Sequence, residues 1–342
     1  TTSMLSEVLL AMDKDPTLSV GGMLPSIGGN IRIGSSEIFV AEACEYTNSF
    51  LSFFPKIEII LNIDADHLDF FKDIDDIRAS FKKFAALLPD DGLLLLQNDI
   101  PDKGYITDDL KCRVLTFGIC DEESNGERPD AYATDITYDD KGHPSFVFHM
   151  DEDKVSFPVS LSVVGRHNVS NAVSVIAAAL TLGGDRDDIT KALAGFTGTQ
   201  RRFEYKGSIG DIRVIDDYAH HPTEIAATLA AAKKYPHKKL YVAFQPHTYS
   251  RTKALLDEFA GALSAADEVI LADIYAARET DTLGISSADL QERIAKLGTS
   301  CEYFPTFDEI LEYILKKLSP GDVLITMGAG DIDKLGDMLL GR

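Results

Sequence analysis

Acidic and imidazole side chains follow two strands that we predict in the first half of the chain. Glu42 directly follows a strand over 37–41, and His67 comes shortly after a strand over 58–63. We expect these strands to be parallel neighbours, whose carboxyl ends bring both side chains to one edge of a sheet. A carboxylate with an imidazole suits Mg²⁺, which takes few protein ligands and keeps water and phosphate oxygens, and also suits Mn²⁺ or Zn²⁺. The pattern therefore predicts a divalent-metal site.

The segment around His67 allows a second interpretation. Asp64 and Asp66 are residue types that cap helices, and they precede Leu68, so they could begin a helix there. His67 would then be a surface residue.

A glycine-containing turn precedes an alanine-rich helix that we predict over 168–182. The turn, Gly165-Arg166-His167, would point backbone amides and the positive end of the helix dipole outward, which suits a nucleotide or another anion. Asn168 could instead serve only as the N-cap of this helix.

Two adjacent arginines, Arg201 and Arg202, lie next to a predicted hinge over 195–198. In an acidic chain, paired guanidinium groups at a domain boundary could clamp a phosphate. The alternative is a salt bridge between domains.

Polar side chains also follow two strands of the second half, in the segments 216–224 and 245–251. We expect the two turns to lie side by side and to present four side chains to a polar, anionic substrate: Tyr218, His220, His247 and Arg251. A zinc site is disfavoured, because the adjacent His220 and His221 cannot easily chelate one ion.

A strand, a Gly-x-Gly turn and a helix are predicted around Gly328-Ala329-Gly330. Such a turn can bind a dinucleotide, as in a nicotinamide dehydrogenase. The full fingerprint and its acidic residue ~20 positions on are missing, so we favour a tight turn.

The order of strands and helices predicts how these groups are positioned. From 199 to 342 strands alternate with helices of ~10–15 residues, one of them over 251–263, which indicates a parallel, doubly wound sheet. Short strands between 113 and 158 predict a small side sheet in the first half. The length of 342 residues favours two domains, which we place at 1–198 and 199–342.

Composition restricts the partners and the compartment. The formal net charge is −22, most of it in residues 1–198, and such a charge repels nucleic acid and anionic membranes. No apolar stretch approaches the ~18 residues of a membrane span, and we expect no signal peptide. The four cysteines show neither paired nor metal-ligand spacing, so we expect a reducing compartment and a cytoplasmic protein.

Seven segments occur in an order that resembles the Mur ligase family over nearly the whole chain. The segments are AEACEYTNSFL, NIDADHLDF, GRHN, RRFE, DDYAHHPTE, QPHTYSRT and MGAGDI. DDYAHHPTE and QPHTYSRT are specific, whereas GRHN and GAG alone are weak signals. The resemblance implies a central ATPase domain of the P-loop type with a parallel sheet, followed by a Rossmann-like C-terminal domain.

The same resemblance implies an ATP-dependent amide ligase of peptidoglycan precursor synthesis. ATP would phosphorylate the carboxylate of UDP-N-acetylmuramate, and the amine of L-alanine would then displace inorganic phosphate through a tetrahedral intermediate. The implied cofactors are ATP and Mg²⁺. A ligase that joins a preformed peptide to the same sugar nucleotide is the alternative within the family, and a non-catalytic nucleotide-binding fragment is the alternative outside this class.

Roles for individual residues follow from the resemblance alone. It implies Glu42 and His67 as metal ligands, Asn168 as an adenine contact and Arg202 as a nucleotide-phosphate contact. It implies that a second group faces the reacting carboxylate and the incoming amino acid: Tyr218, His220 and Arg251.

The chain also departs from the family pattern. Full-length members have an N-terminal domain for the UDP-sugar and a Gly-Lys-Thr/Ser phosphate loop, and only Thr1 and Thr2 resemble the end of that loop. We therefore expect the chain by itself to lack ligase activity. Some relatives carry Arg where this chain has Thr248, so Arg251 would act alone there. Phe81 occupies the position of a carbamylated Lys in other relatives, so no such Lys is assigned.

Overall fold

The computed structural model describes residues 1–67, 70–121, 127–152 and 154–342. The chain divides into two compact units: one comprises 1–139 with 143–198, and the other comprises 140–142 with 199–342. Leu68 and Asp69, which belong to the predicted NIDADHLDF segment, lie outside the described residues.

The first unit mixes helices and strands. Its helices are α1 (Thr2–Ala11), α2 (Ile74–Ala85), α3 (Lys103–Thr107), α4 (Arg166–Thr181) and α5 (Arg186–Gly195). Its strands are β1 (Thr17–Leu24), β2 (Gly29–Arg32), β3 (Phe39–Ala41), β4 (Ile57–Ile60), β5 (Leu93–Gln97), β6 (Arg113–Ile119), β7 (Ala131–Tyr138), β8 (Pro144–Met150) and β9 (Val155–Ser160).

Two separate sheets organise this unit. One has three strands in the order β2-β1-β3, and the other has six in the order β4-β5-β6-β7-β8-β9. Pairing is parallel from β4 to β7 and antiparallel from β7 to β9. The prediction of a side sheet between 113 and 158 is therefore wrong in its position: those strands continue the main sheet, because β6 pairs with β7. The small sheet comes instead from 17–41.

The separation of the two sheets corrects a premise of the metal-site prediction. β3, which precedes Glu42, pairs with β1, whereas β4, which precedes His67, pairs with β5. The two strands are therefore not neighbours in one sheet. Sequence analysis missed β1 because Gly21 and Gly22 lower its strand propensity.

Helix α4 covers the middle of the six-stranded sheet. It contacts β6, β7 and β8, and a continuous run of its side chains from Ala172 to Ala179 is buried. The alanines in this run let the helix axis lie close to the sheet, while Val173 and Ile176 fill the space between them. This packing fixes the turn at Gly165 from which the helix begins.

The second unit contains the more regular alternation. Its strands are β10 (Glu204–Ile209), β11 (Ile212–Asp217), β12 (Leu240–Phe244), β13 (Glu268–Leu271), β14 (Ser300–Tyr303) and β15 (Val323–Met327). Its helices are α6 (Pro222–Ala232), α7 (Tyr249–Ala254), α8 (Leu256–Leu263), α9 (Ser287–Lys296), α10 (Phe307–Lys317) and α11 (Asp333–Leu340).

A six-stranded sheet in the order β10-β11-β15-β12-β13-β14 organises the second unit. Pairing is parallel throughout except between β10 and β11. One apolar cluster forms on the face that carries Val242 and Phe244, and a second forms on the face that carries Tyr241 and Ala243. Helices therefore cover both faces, and the predicted parallel, doubly wound sheet is confirmed.

The register of this sheet brings three turns together. Asp217 of β11 pairs with Met327 of β15, and Met327 also pairs with Phe244 of β12. The chain therefore leaves three neighbouring strands at the same level, at Tyr218, Gly328 and Gln245. The two polar segments predicted to lie side by side therefore reach the same edge of the sheet, but β15 separates the strands that they follow.

One predicted helix is divided. The segment 251–263 forms α7 and α8, which are separated at Leu255, where φ is −117° and ψ is 29°. Helix α7 also begins earlier than predicted, because the hydroxyl of Thr248 accepts a hydrogen bond from the Arg251 N–H and caps it. Across the part of the chain that is described, no helix is both long and apolar enough to cross a membrane.

Candidate active site

Four predicted side chains meet at the carboxyl ends of β11 and β12. The ring centroids of Tyr218 and His220 lie 5.4 Å apart, and those of His220 and His247 lie 5.9 Å apart. His247 Nδ1 lies 3.2 Å from Arg251 Nη1. Tyr275, which sequence analysis did not single out, stacks on His247 with 5.7 Å between ring centroids. The turns thus form one aromatic and cationic group, the strand-end cluster (Tyr218, His220, His247, Arg251 and Tyr275).

The start of α6 holds His220 in this cluster. Pro222 is the first residue of the helix, and His221 is its N-cap, with Nδ1 accepting from the Thr223 N–H. Glu224 completes the capping box, because its Oε2 accepts from the backbone N–H groups of His220 and His221. His221 and Glu224 therefore stabilise the start of α6.

Charge around Glu224 favours its ionised form. Burial by itself would raise the pKa of this carboxyl group, but the charges of His220 and Arg202 and the N–H groups that it accepts bring the pKa below its ordinary value. His220 Nδ1 lies 3.3 Å from Glu224 Oε2. The carboxylate thus fixes both the backbone and the ring of His220.

The two adjacent arginines have different environments. Arg201 is 22% exposed and is paired with the buried Asp216, at 2.9 Å between Nε and Oδ2. Arg202 is 53% exposed, with Nη1 3.7 Å from Glu224 Oε1. All of these partners lie in the second unit, so the alternative of a salt bridge between domains does not describe them. Arg202 is thus the more exposed of the two, and its guanidinium carbon lies 5.7 Å from the centre of the Tyr218 ring.

Two buried carboxyl groups end strand β11. Burial raises the pKa of Asp216, although Thr326 and Arg201 oppose that effect. Burial also raises the pKa of Asp217 to about 6, against two backbone N–H groups that donate to it. These donors are Phe203 to Oδ2 and Ala219 to Oδ1, both at 2.8 Å. Asp217 thus links the arginine segment to the strand-end cluster.

The Gly-x-Gly element is a tight turn against protein. A Cβ atom at Gly328 would lie 2.6 Å from the backbone oxygen of Gln245, and one at Gly330 would lie 2.2 Å from Gln245 Oε1. The glycines therefore permit a close approach of Gln245, and the favoured interpretation as a turn agrees with this geometry. The buried Gln245 was missed as a site residue, although its position at a strand end was a usable signal.

The predicted metal ligands lie in two loops of the first unit. Glu42 is exposed, and its Oε2 accepts from the Gly21 N–H at 3.0 Å. His67 Nε2 lies 3.6 Å from Glu45 Oε1 and 3.8 Å from Asp66 Oδ2, and the Tyr46 ring lies against its ring, tilted by 31°, with 4.5 Å between centroids. The described contacts thus bring the carboxylates of Glu45 and Asp66 beside His67, and sequence analysis did not assign Glu45 as a ligand.

Backbone conformations around His67 are unusual. His67, Thr47 and Asn48 have φ of 54°, 55° and 57°, in the left-handed region that residues other than glycine rarely adopt. Asp64 and Asp66 accept from the N–H of the next residue, and the N-cap of α2 is Asp73. The alternative that Asp64 and Asp66 cap a helix is therefore not supported.

The donor chemistry around His67 suits a divalent cation. Carboxylate oxygens and an imidazole nitrogen are ligands that Mg²⁺ and Mn²⁺ accept, and such ions commonly use only one or two protein ligands beside phosphate and water. Among the residues that the structure describes, no group of three or more histidine, cysteine or acidic side chains is arranged as a complete metal site. A divalent ion at this place would need further oxygen ligands besides these side chains.

The remaining predicted nucleotide contacts lie at two helix starts in the first unit. Gly165, not Asn168, is the N-cap of α4, so the N-cap alternative for Asn168 is wrong. Asn168 lies in the first turn, where its Nδ2 donates to the Val164 oxygen at 2.8 Å. Thr1 is the N-cap residue of α1, and Thr2 begins this helix.

Family models match both parts of the chain. The Mur ligase middle domain matches residues 1–179, and the model described as Mur ligase, glutamate ligase domain matches residues 201–330. Together these matches include the loops of Glu42 and His67 and the strand-end cluster.

Relatives of known name agree with the family models. The UDP-N-acetylmuramate–L-alanine ligase of Lachnospira eligens is 56% identical over 99% of this chain and 73% of its own length. The enzyme of the same name from Agathobacter rectalis is 52% identical over 99% of this chain and 72% of its own length.

Solved structures show the same fold. The UDP-N-acetylmuramate–alanine ligase of Thermotoga maritima has a TM-score of 0.80 and 27% identity, over 100% of this chain and 72% of its own. A murein peptide ligase from Psychrobacter arcticus has a TM-score of 0.70 and 24% identity, over 99% and 74% of the two chains. MurF ligase of Thermotoga maritima, solved with ADP, has a TM-score of 0.73 and 19% identity, over 99% and 77%. The chain carries the middle and C-terminal ligase domains of the Mur ligases and belongs to the Mur ligase family.

Proposed function

We propose that this chain forms the catalytic part of an ATP-dependent ligase that joins L-alanine to UDP-N-acetylmuramate. The observation that carries this proposal is the strand-end cluster, which gathers imidazole, phenol and guanidinium groups at the carboxyl ends of β11 and β12. Relatives that are about half identical over 99% of the chain carry the name of this activity. We assign 1–198 as the ATP-binding domain and 199–342 as the C-terminal domain.

The proposed reaction has two covalent steps. The sugar carboxylate attacks the γ-phosphorus of ATP, which releases ADP and leaves an acyl phosphate. The amine of L-alanine, after losing a proton, attacks the acyl carbon, and the tetrahedral intermediate expels inorganic phosphate to leave the amide. Both steps bring anionic groups together, so positioning and neutralisation of charge dominate the catalysis.

Residues of the second unit would neutralise the substrates. Arg251 has a guanidinium suited to a carboxylate, and a neutral His247 can accept one of its N–H groups. Tyr218 and His220 extend the same face, and we propose that they contact the reacting carboxylate and the amino acid. In the ground state and during attack, these side chains orient the substrates without forming a covalent bond to them.

Residues of the first unit would hold the nucleotide. We propose that Asn168 contacts adenine, that Thr1 and Thr2 lie toward the phosphates, and that Glu42 and His67 hold Mg²⁺. When bound, Mg²⁺ would supply positive charge beside the phosphate oxygens. Arg202 of the second unit, half exposed, is the proposed cationic contact to the nucleotide phosphates.

The alternative is a ligase for a preformed peptide. The murein peptide ligase shares the fold at 24% identity, close to the 27% of the Thermotoga maritima alanine ligase. The relatives at 56% and 52% identity carry the name of the alanine ligase, and they favour L-alanine as the acceptor. A nicotinamide dehydrogenase is not supported, since the glycines of the only feature suggesting it pack against Gln245.

A chimera distinguishes the two ligase functions. This chain replaces the 340 matched residues of the Lachnospira eligens enzyme, and phosphate release is measured with ATP, UDP-N-acetylmuramate and either L-alanine or a preformed tripeptide with a free α-amino group. We expect phosphate release with L-alanine and none above background with the tripeptide. Release with the tripeptide alone would reject the proposed acceptor and establish the alternative.

The inactivity of the 342 residues by themselves stays a prediction, as does the cytoplasmic location. Phosphate release that depends on L-alanine, measured with the purified chain alone, would contradict the first of these.

A further inference from the structure

The guanidinium of Arg201 joins two strand ends of the second unit. Nε donates to Asp216 Oδ2 at 2.9 Å, at the end of β11. Nη1 donates to the Gly330 oxygen at 3.0 Å and Nη2 to the Gly328 oxygen at 2.7 Å, in the turn after β15. The fork of one side chain thus satisfies a carboxylate and two backbone carbonyls at once.

The partner of Arg201 is held from its other side. Asp216 is fully buried, and its Oδ1 accepts from the Thr326 hydroxyl at 2.6 Å. A buried carboxylate is stable only when it is paired and hydrogen-bonded, so Asp216 cannot turn toward another partner at low cost. The position of the guanidinium is therefore determined by the sheet itself.

Arg201 also contacts Tyr218 through backbone and ring. The Tyr218 N–H donates to the Arg201 oxygen at 2.7 Å, and the guanidinium carbon lies 4.9 Å from the centre of the Tyr218 ring. Arg201 has a φ of 59°, a conformation that an arginine keeps only when surrounding contacts enforce it. The first residue of the strand-end cluster is thus fixed to the same side chain that closes the glycine turn.

We infer that Arg201 is a positioning residue, which holds Tyr218 and the turn Gly328–Gly330 in place for substrates that bind at the strand-end cluster. This inference rests on the proposed function for the role of Tyr218. The guanidinium carbon of Arg202 lies 5.7 Å from the centre of the same ring, but Arg202 is the more exposed of the two and stays the proposed contact to the nucleotide. A lysine cannot replace Arg201, because one ammonium group cannot span a carboxylate and two carbonyls with the geometry of the fork.

Fluorine NMR on the full 342-residue chain tests this inference. Tyrosines are replaced by 3-fluorotyrosine, and Tyr218→Phe identifies the Tyr218 resonance by its loss. We expect Arg201→Lys to shift or broaden the Tyr218 resonance. We also expect that the change of this resonance on addition of L-alanine will need an about tenfold higher L-alanine concentration for half-saturation. A Tyr218 resonance that is unchanged in folded Arg201→Lys would overturn the inference.

The matched control is Arg213→Lys. Arg213 also lies over a tyrosine ring of the second unit, with its guanidinium carbon 5.0 Å from the centre of Tyr235. This variant should move the Tyr235 resonance and leave the Tyr218 resonance and the L-alanine response unchanged. An equal effect of both variants on Tyr218 would indicate a general loss of structure and would overturn a specific role for Arg201.

A double variant separates positioning from the cost of an unpaired charge. Arg201→Met with Asp216→Asn removes both charges of the pair, so Asp216 is not left as a buried carboxylate without its cation. We expect the melting temperature of the double variant to lie closer to that of the unsubstituted chain than that of Arg201→Met alone does. The Tyr218 resonance should still be displaced. Restoration of both the resonance and the L-alanine response would overturn the inference.

One further outcome belongs to the proposed function alone. If L-alanine leaves the Tyr218 resonance of the unsubstituted chain unchanged, the proposed contact between Tyr218 and the amino acid fails. The displacement of that resonance in Arg201→Lys then still decides whether Arg201 holds Tyr218.

Discussion

His247 Nδ1 and Arg251 Nη1 lie 3.2 Å apart where the chain leaves β12 and enters α7. A guanidinium only donates hydrogen bonds, so Nδ1 accepts and the geometry assigns the imidazole proton to Nε2. A neutral His247 thus orients Arg251 while leaving the positive charge of the guanidinium for an anionic group. The pair gives the strand-end cluster its most direct cation.

Arg251→Ala should reduce activity without unfolding the protein. Loss of a preorganised cation beside a reacting carboxylate typically costs about 10²-fold in kcat/KM. We expect that loss in the chimera described above, in phosphate release at limiting L-alanine, with a melting temperature that changes by only about 2 °C. Arg293→Ala is the control, since Arg293 is half exposed and pairs only with Asp257 in the described contacts. Equal kcat/KM in Arg251→Ala and Arg293→Ala would show that Arg251 does not act on the substrates.

His67→Ala should weaken nucleotide binding only when Mg²⁺ is present. The imidazole is about one quarter exposed and packs on Tyr46, so its loss should cost little stability. By calorimetry on the full chain, we expect about tenfold weaker ADP binding with Mg²⁺ and no change with a chelator. Glu42→Gln should act in the same direction.

A second partly exposed histidine serves as the control for His67. His143 is paired with Asp139 in the turn before β8, away from the predicted ligands in the sequence. His143→Ala should leave ADP binding unchanged with and without Mg²⁺. If His67→Ala behaves in the same way, His67 is a surface residue and the metal assignment fails.

Arg202→Ala should weaken ADP binding without destabilising the fold. Arg202 is 53% exposed and its pairing with Glu224 is long, so the substitution removes little packing. A lost charge-assisted contact to phosphate corresponds to about tenfold in affinity. Arg186→Ala, also on the surface and beside an acidic residue, should have no effect. Unchanged ADP affinity in Arg202→Ala would show that this arginine does not reach the phosphates.

Glu58 should make the stability of the chain depend on pH. Its side chain is 3% exposed, on the face of β4 that also carries the buried Ile60, and neither carboxyl oxygen has a hydrogen-bond partner among the described residues. Burial raises its pKa to about 8. The folded chain therefore keeps a proton that the unfolded chain releases above about pH 4.5.

The sign of this effect follows from proton binding. Between about pH 4.5 and pH 8 the unfolded state binds fewer protons, so the free energy of unfolding falls as the pH rises. Glu58→Gln should remove that fall. Its free energy of unfolding should exceed that of the unsubstituted chain by roughly 2–4 kcal/mol at pH 8 and by less at pH 5.5. Urea unfolding followed by circular dichroism measures both values. Glu152→Gln, which is exposed in the same unit, should change neither value much. A constant difference across this pH range would contradict the buried, protonated state.

Local patterns were sufficient to predict the second unit. Alternating strands and helices predict a parallel sheet, and its strands bring the segments after Asp217 and Phe244 to the same edge, although β15 lies between the two strands. The cluster of Tyr218, His220, His247 and Arg251 could therefore be assembled without coordinates. Tyr275 could not, because it lies in a distant loop that reaches this edge through long-range contacts such as the isolated bridge between His247 and Tyr275.

The first unit shows where such patterns fail. Which sheet a short strand joins depends on partners far along the chain, and β1 displaced the predicted neighbour of β3. Whether an arginine contacts a ligand or other protein groups also depends on its burial. Two adjacent residues of the same type do not reveal which of them is buried. Arg201 and Arg202 are identical in the sequence, yet the fully buried Asp216 pairs with only the first of them.

Transfer of an oxygen isotope tests most directly whether this chain activates a carboxylate with ATP. The chimera is supplied with UDP-N-acetylmuramate labelled with ¹⁸O in the lactyl carboxylate, ATP and L-alanine, and the released phosphate is analysed by mass spectrometry. If the carboxylate oxygen attacks the γ-phosphorus and leaves with it, each phosphate should carry one ¹⁸O from the sugar. Phosphate that forms with L-alanine but carries no ¹⁸O would contradict an acyl phosphate and the account of the site built on it.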